Sequence, residues 1–290
     1  MAGKISVVVI SRNEGSWLKK TVINLEQTLP ANSEIVVVDD ASTDRSTAFL
    51  PRRGPVRLLH ANGIGVAKAR NLGGRHTSGD VLLFADAHLK LPSEWCKPIL
   101  AALSDPRVGA VAPGIIGTNP KHVAGFGLTF RGPAMEVRWI RRKPAAPAEV
   151  PILPGCTLAM RRQVFEQTCG GWDGGLLQRG NVDNEIAVRL WLLGYKLLVI
   201  PDVLVKHRFR RKSPFHVGWP EYLHNRLRLA FAHFSDDRLG RVVSSLRTYP
   251  AFGDALRLVT ESDIAARRRE LFAVRRRNDD WYFDRFRLNW

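Results

Sequence analysis

Asp86 and His88 stand two residues apart at the end of an apolar run, Asp80–Ala85, and this pair is the clearest chemical signal in the chain. Side chains at i and i+2 of an extended segment point to one side. If extended geometry carries just past the strand, a carboxylate and an imidazole face one point, where a divalent cation could sit. The same residues also suit a strand that leaves the core into a polar turn. A second signal is the run Val36–Asp44, where Asp39 and Asp40 are adjacent. Neighbouring carboxylates repel, so they suit a place where one accepts hydrogen bonds from a nucleobase or ribose and a cation offsets the other. An Asx-type turn capping the next helix through Ser42 or Asp44 is the competing reading.

Positioning such groups requires strands that end at a common edge. Short β-branched runs predict strands at Ile5–Ile10, Glu34–Asp39, Val56–His60, Asp80–Ala85 and Val108–Ala112. Helical patterns fall between them at Ser16–Thr28, Ile64–Thr77 and Ser93–Leu103. This alternation predicts an α/β fold with a mostly parallel sheet, in which ligands bind beyond the carboxyl ends of the strands. Four successive strand ends carry polar groups, at Ser11–Glu14, Asp39–Ser42, Asn62-Gly63 and Asp86–His88, which implies a lined cleft. Residues 113–155 are rich in Gly and Pro and read as loops with one or two strands, a candidate flap. A helix follows at Arg162–Gln167, another at Asp183–Leu193 with Gly194 as its stop, and a strand at Lys196–Ile200 ending at Pro201. Beyond residue 210 the pattern is helical: Leu223, Leu227, Phe231 and Phe234 form an apolar stripe, and Ile264–Arg277 is a second, arginine-rich helix.

Composition narrows the class. The chain has 290 residues, 45% of them hydrophobic and 24% charged, enough for a sizeable core in one large domain or two small ones. Cys96, Cys156 and Cys169 show no paired spacing and read as reduced thiols of a cytoplasmic protein. Lys4 leads directly into a strand, so no leader is expected, and no apolar run reaches the roughly 18 residues that span a bilayer. The net charge is +17, and residues 208–290 carry 18 Lys and Arg against 10 Asp and Glu. Acidic partners follow: nucleotide phosphates or anionic lipid at an inner membrane face, with nucleic acid disfavoured because none of its motifs is present. No GxGxxG follows the first strand and no Walker A sequence occurs, which disfavours nicotinamide and P-loop chemistry.

Taken together, Ser6–Glu14, Glu34–Asp44, Gly63–Gly73 and Asp80–His88 resemble nucleotide-sugar glycosyltransferases of family 2, in order and spacing over roughly residues 4–210. The resemblance implies the GT-A, or nucleotide-diphospho-sugar transferase, fold. It places a catalytic domain at 1–210, with a nucleotide half to about 112 and an acceptor half from 113, and a basic helical extension at 211–290. The Asp-x-His form at Asp86–His88 replaces the usual Asp-x-Asp. Together with Gly171–Gly175, Asn184–Trp191 and Val205–Arg210, it resembles the catalytic domains of polypeptide N-acetylgalactosaminyltransferases.

That resemblance implies a third metal ligand at His207, and the oxygen and imidazole set suits Mn²⁺, with Mg²⁺ as an alternative. It implies nucleotide contacts from Asn13, Glu14, Asp39, Asp40 and Asp86. Arg70 would brace the uracil side or the first carboxylates, or else form a helix-surface ion pair with Asp39 or Asp40. Trp172 and Asp173 would line the sugar pocket, and Gly155 would admit the donor sugar closely or simply serve a turn. Inverting family 2 enzymes hold a general base where this chain has Asp183, whereas the retaining N-acetylgalactosaminyltransferases have Asn there. Asp183 also suits a first-turn carboxylate favoured by the helix dipole. The implied reaction moves a sugar from a UDP-sugar to the hydroxyl of a glycan, peptide or small molecule, with inversion and Asp183 as base. Alternatives are a retaining polypeptide-type transferase, a sugar-nucleotide-binding protein without turnover and, ranked low, a non-haem iron site.

Overall fold

The computed structural model describes residues 4–50, 54–119, 121–167, 170–210 and 214–290; Cys169 lies outside them. In chain order the elements are β1 (Ile5–Ser11), α1 (Ser16–Thr28), β2 (Glu34–Asp40), β3 (Val56–Ala61), α2 (Val66–Arg75), β4 (Val81–Asp86), β5 (Leu89–Lys90), α3 (Cys96–Leu103), β6 (Val108–Gly117), β7 (Leu128–Phe130), β8 (Val137–Trp139), β9 (Ala148–Glu149), β10 (Thr157–Arg161), α4 (Arg162–Gln167), α5 (Val182–Leu192), β11 (Lys196–His207), α6 (Trp219–His233), α7 (Asp236–Leu246), α8 (Phe252–Thr260), α9 (Ile264–Val274) and α10 (Asp279–Arg285).

The central sheet runs β3-β2-β1-β4-β10-β6-β11-β5, with β9 also on β11, and β7 and β8 form a separate hairpin. Strands β1, β2 and β4 are covered on both faces, which is why they read as continuous apolar runs rather than alternating ones. Val8, Val36, Val38, Leu82 and Phe84 face one core; Val7, Val9, Val37, Leu83 and Ala85 face the other. Parallel register pairs Ser11 with Asp39 and Ile10 with Asp86, so the polar ends of three strands fall on one rim of the sheet.

Two pairings not foreseen from the sequence complete that rim. Strand β10 enters antiparallel between β4 and β6, with Thr157 opposite Ala85, so its first residues lie where β4 ends. The two-residue β5 pairs antiparallel with the end of β11, His207 opposite Leu89. Strand β11 does not stop at Pro201. It continues to His207 through a register shift between Ile200 and Leu204, an irregularity of the kind that accommodates a proline in a strand.

The helical region also departs from expectation, with five helices among the described residues rather than two. Leu223, Leu227, Phe234, Val242, Val259 and Tyr282 share the core of β1, β2 and β4. The aromatic residues near the end of the chain are largely enclosed. Tyr282 and Phe283 are buried, and Trp281 and Phe286 pack on Trp191 of α5. Burial against the adjacent core removes their apolar area from water. No helix among the described residues is long and apolar enough to cross a membrane.

Candidate active site

Asp86 ends β4, His88 lies in the turn to β5, and His207 ends β11 beside it. Pairing of β5 with β11 fixes this proximity, and the Arg208 N–H donates to the His88 carbonyl at 3.1 Å. The Nε2 atoms of His88 and His207 lie 4.0 and 3.5 Å from Asp86 Oδ2, and the imidazole centroids are 4.7 Å apart. One donor atom from each of the three residues lies within 4.8 Å of the others. One carboxylate oxygen and two imidazole nitrogens, partly open to a cleft, fit a divalent cation such as Mn²⁺. Burial alone would raise the pKa of Asp86. The hydrogen bond from His207 and the charges of His88, His207 and Arg70 outweigh it and hold the carboxyl well below the usual range. An ionised oxygen is what a cation needs.

Arg70 rises from α2 into the same cleft and is 2% exposed, so it is not a surface ion-pair residue. One guanidinium nitrogen donates to Asp183 Oδ1 at 2.7 Å, and the other donates to the Gly155 carbonyl at 2.7 Å and lies 3.8 Å from Asp86 Oδ1. The fork thus spans the metal-site carboxylate and the candidate base. Asp183 stands in the first turn of α5, behind Asn181, whose left-handed φ of 56° turns the chain into the helix. A Cβ at Gly155 would meet Asp183 Oδ1 at 1.7 Å, so the close approach that requires glycine here is to the carboxylate. Glu185, two residues on, is fully enclosed between Arg189 and His233.

The residues expected at the nucleotide divide into two sets. Asp40 lines the cleft and receives the N–H groups of Ile64 and Gly65 at 2.7 and 2.9 Å, so it orders the turn into α2. Glu14 also lines the cleft, but its Oε2 lies 3.0 Å from His88 Nδ1 and accepts from Arg210. Asn13 and Asp39 lie outside the lining. Asn13 clasps the turn after β2, accepting from the Thr43 N–H at 2.8 Å and donating its own N–H to Ser42 Oγ at 2.9 Å. Asp39 accepts from the Ser42 N–H at 3.2 Å and faces His60 at 3.4 Å. The Asx-type turn belongs to Asp44, whose Oδ1 accepts from the Ser46 N–H at 2.9 Å, although β3 rather than a helix follows it; repulsion between Asp39 and Asp40 is relieved by sending each to a different turn.

Trp172 and Asp173, expected in a sugar pocket, are buried and stand outside the cleft lining. Trp172 is buried with the Arg70 guanidinium 4.3 Å over its ring, and Asp173 is buried in a two-pronged pair with Arg228 of α6 at 2.7 and 2.9 Å. Both support the cleft wall from behind. The cleft itself, about 400 Å³, is lined in addition by Arg12, Gln178, Phe209, Phe215 and Tyr222. Sequence reasoning missed these residues. Arg12 and Phe209 lie within the family-like segments Ser6–Glu14 and Val205–Arg210, a signal that could have found them, while Gln178 and Tyr222 carry no local signal.

Residues 6–169 match the family model described as glycosyl transferase family 2. A mouse protein named polypeptide N-acetylgalactosaminyltransferase 6 is 29% identical, over 96% of this chain and 48% of its own length. The human polypeptide N-acetylgalactosaminyltransferase 15 is 29% identical over 77% of this chain and 39% of its own. The chain thus spans less than half the length of these two curated relatives. Among solved structures, GalNAc-T7 with UDP, GalNAc and Mn²⁺ superimposes with a TM-score of 0.78 at 23% identity, covering 99% of this chain and 57% of that one. That likeness establishes the GT-A fold, and the family match covers strands β1 to β10 together with Asp86 and His88. The chain belongs to glycosyl transferase family 2.

Proposed function

We propose that the protein transfers a sugar from a UDP-sugar to an acceptor hydroxyl, in a cation-dependent reaction that inverts the anomeric carbon. The observation that carries this reading is the convergence of Asp86, His88 and His207 in a cleft that also holds the Asp183 carboxylate. Those three residues would hold Mn²⁺ or Mg²⁺, which would supply positive charge to offset that of a departing nucleoside diphosphate. The choice of UDP is supported by the GalNAc-T7 structure, which contains UDP and Mn²⁺. The acceptor is a glycan, peptide or small molecule with a free hydroxyl.

The chain's own groups divide the work. Asp40 and Asn13 hold the turns that shape the nucleotide end. Arg70 fixes Asp183 and Asp86 relative to each other through a single rigid fork, with Trp172 beneath it. Asp183 keeps Oδ1 on Arg70 and offers its other oxygen to the acceptor proton; a positioned base of this kind contributes about 10²–10⁴-fold. Asp183→Asn should therefore lower kcat by about that factor and leave Mn²⁺-dependent UDP binding intact. NMR assignment of the product's anomeric configuration is the decisive measurement, and a retained configuration removes Asp183 as base. A second reading, retaining transfer to a polypeptide, is supported by the 2.7 Å ion pair that already engages Asp183 and by the names of the relatives.

A further inference from the structure

We infer that Glu14 is a positioning residue for the cation site, acting through His88, rather than a nucleotide contact. The inference rests on the reading of Asp86, His88 and His207 as the cation's ligands. Glu14 sits just beyond β1, is 8% exposed, and places Oε2 3.0 Å from His88 Nδ1. An ionised carboxylate can only accept, so Nδ1 carries the proton. The neutral ring then has its lone pair on Nε2, and Nε2 is the atom that faces Asp86 at 4.0 Å. A carboxylate that takes one imidazole N–H fixes the tautomer and ring orientation and raises the basicity of the other nitrogen toward a metal.

Arg210 donates to the same Glu14 oxygen. It stands three residues after His207, so Glu14 also ties the end of β11 to the end of β1. His207 has no such carboxylate of its own: its Nδ1 is buried without a hydrogen-bond partner among the described residues, and its ring rests on Phe209 with centroids 4.5 Å apart. One carboxylate thereby holds one imidazole directly and anchors the segment that carries the other. Both partners sit on Oε2, so that oxygen is engaged within the protein rather than by a base or ribose.

Direct Mn²⁺ binding, read by electron paramagnetic resonance of the free ion in the presence of UDP, tests this without reference to turnover. Outer partners of metal-bound histidines are worth about 10–100-fold in affinity. Glu14→Gln, which keeps the shape and one acceptor, should weaken Mn²⁺ about 10-fold; Glu14→Ala should lie nearer 100-fold. In a His88→Ala background, Glu14→Gln should cost much less Mn²⁺ affinity than it does in the parent, because only its hold on the β11 segment through Arg210 is then left to lose. UDP affinity measured in chelator should be unchanged by Glu14→Gln. Melting in chelator reports whether each variant is folded, and if Glu14→Ala is not, the isosteric variant alone carries the comparison.

Unaltered Mn²⁺ affinity in Glu14→Gln overturns the inference, as does a full additive loss on top of His88→Ala. A metal-independent loss of UDP binding overturns it in favour of a nucleotide contact. If the parent protein binds no Mn²⁺, the cation-site reading falls and this inference with it, a result distinct from the others.

Discussion

The chemistry of the cleft depends on side chains that are each held by a second group. Arg70 takes one oxygen of Asp183 while its other nitrogen takes the Gly155 carbonyl, so carboxylate, guanidinium and turn form a closed unit. Gly155 is the most exposed to test, because a Cβ there would overlap the carboxylate it abuts. Gly155→Ala must therefore push Asp183 off its Arg70 contact. Displacements of about 1 Å in a catalytic group cost on the order of 10²-fold. We expect kcat to fall by about that factor with Mn²⁺ and UDP affinity unchanged, measured by initial rates beside binding titrations. A variant with undiminished kcat would show that Asp183 has no exacting position. Much of this scale was legible in the sequence. Asp86, His88 and Asp183 stand at element ends where local pattern exposes them. Asp39 and Asp40 were legible as a pair but not in role, since each selects a different turn partner, and that choice depends on where β3 and α2 return.

At the scale of elements, parallel strands announced themselves, whereas antiparallel insertions did not. Thr157–Arg161 is five residues with no alternating pattern, and only its central place between β4 and β6 makes it a strand. Leu89-Lys90 is shorter still, yet its pairing with β11 brings His88 to His207. Helix α6 is joined to the loop before α5 by the buried Asp173–Arg228 pair. Burial opposes ionisation of Asp173, but the hydrogen bonds and charge of Arg228 outweigh it and lower its pKa from 3.8 to about 2. A carboxyl with a depressed folded pKa adds stability that is whole above its unfolded pKa and lost as pH falls through the folded one. Here that window runs from about pH 4 down to about pH 2, and the shift corresponds to about 2 kcal/mol. Urea titrations at about pH 5 and about pH 2 should show the parent losing about 2 kcal/mol more than Asp173→Asn. Equal losses would mean that the pair contributes nothing net.

For the whole molecule, the helices expected as an extension beyond residue 210 share a core with the sheet. Leu223, Leu227, Leu229, Ala230 and Phe234 are each 0% exposed and belong to the core under β1, β2 and β4. A chain ended at residue 217 would bare that surface and strand Asp173. It should melt without cooperativity and aggregate on size exclusion, whereas the full chain should unfold in one transition. A cooperative, monomeric fragment would show that residues 1–217 fold without the later helices. The basic surplus of residues 208–290 thus sits on helices that complete the catalytic fold, with Arg228 and Arg268 turned inward or onto carbonyls. The direction of β10 has a further practical meaning. The ends of β1, β2, β4 and β11 and the beginning of β10 share one rim, so all the chemistry gathers there. The opposite rim holds Lys4, Glu34, Asp80 and Arg161, laced by bonds such as Lys4 N–H to Asp80 and Arg161 to the Leu103 and Asp105 carbonyls. A fluorophore, surface tether or fused partner attached on that side stands a full strand length away from the reacting groups, leaving the mouth of the cleft free for whatever acceptor is offered.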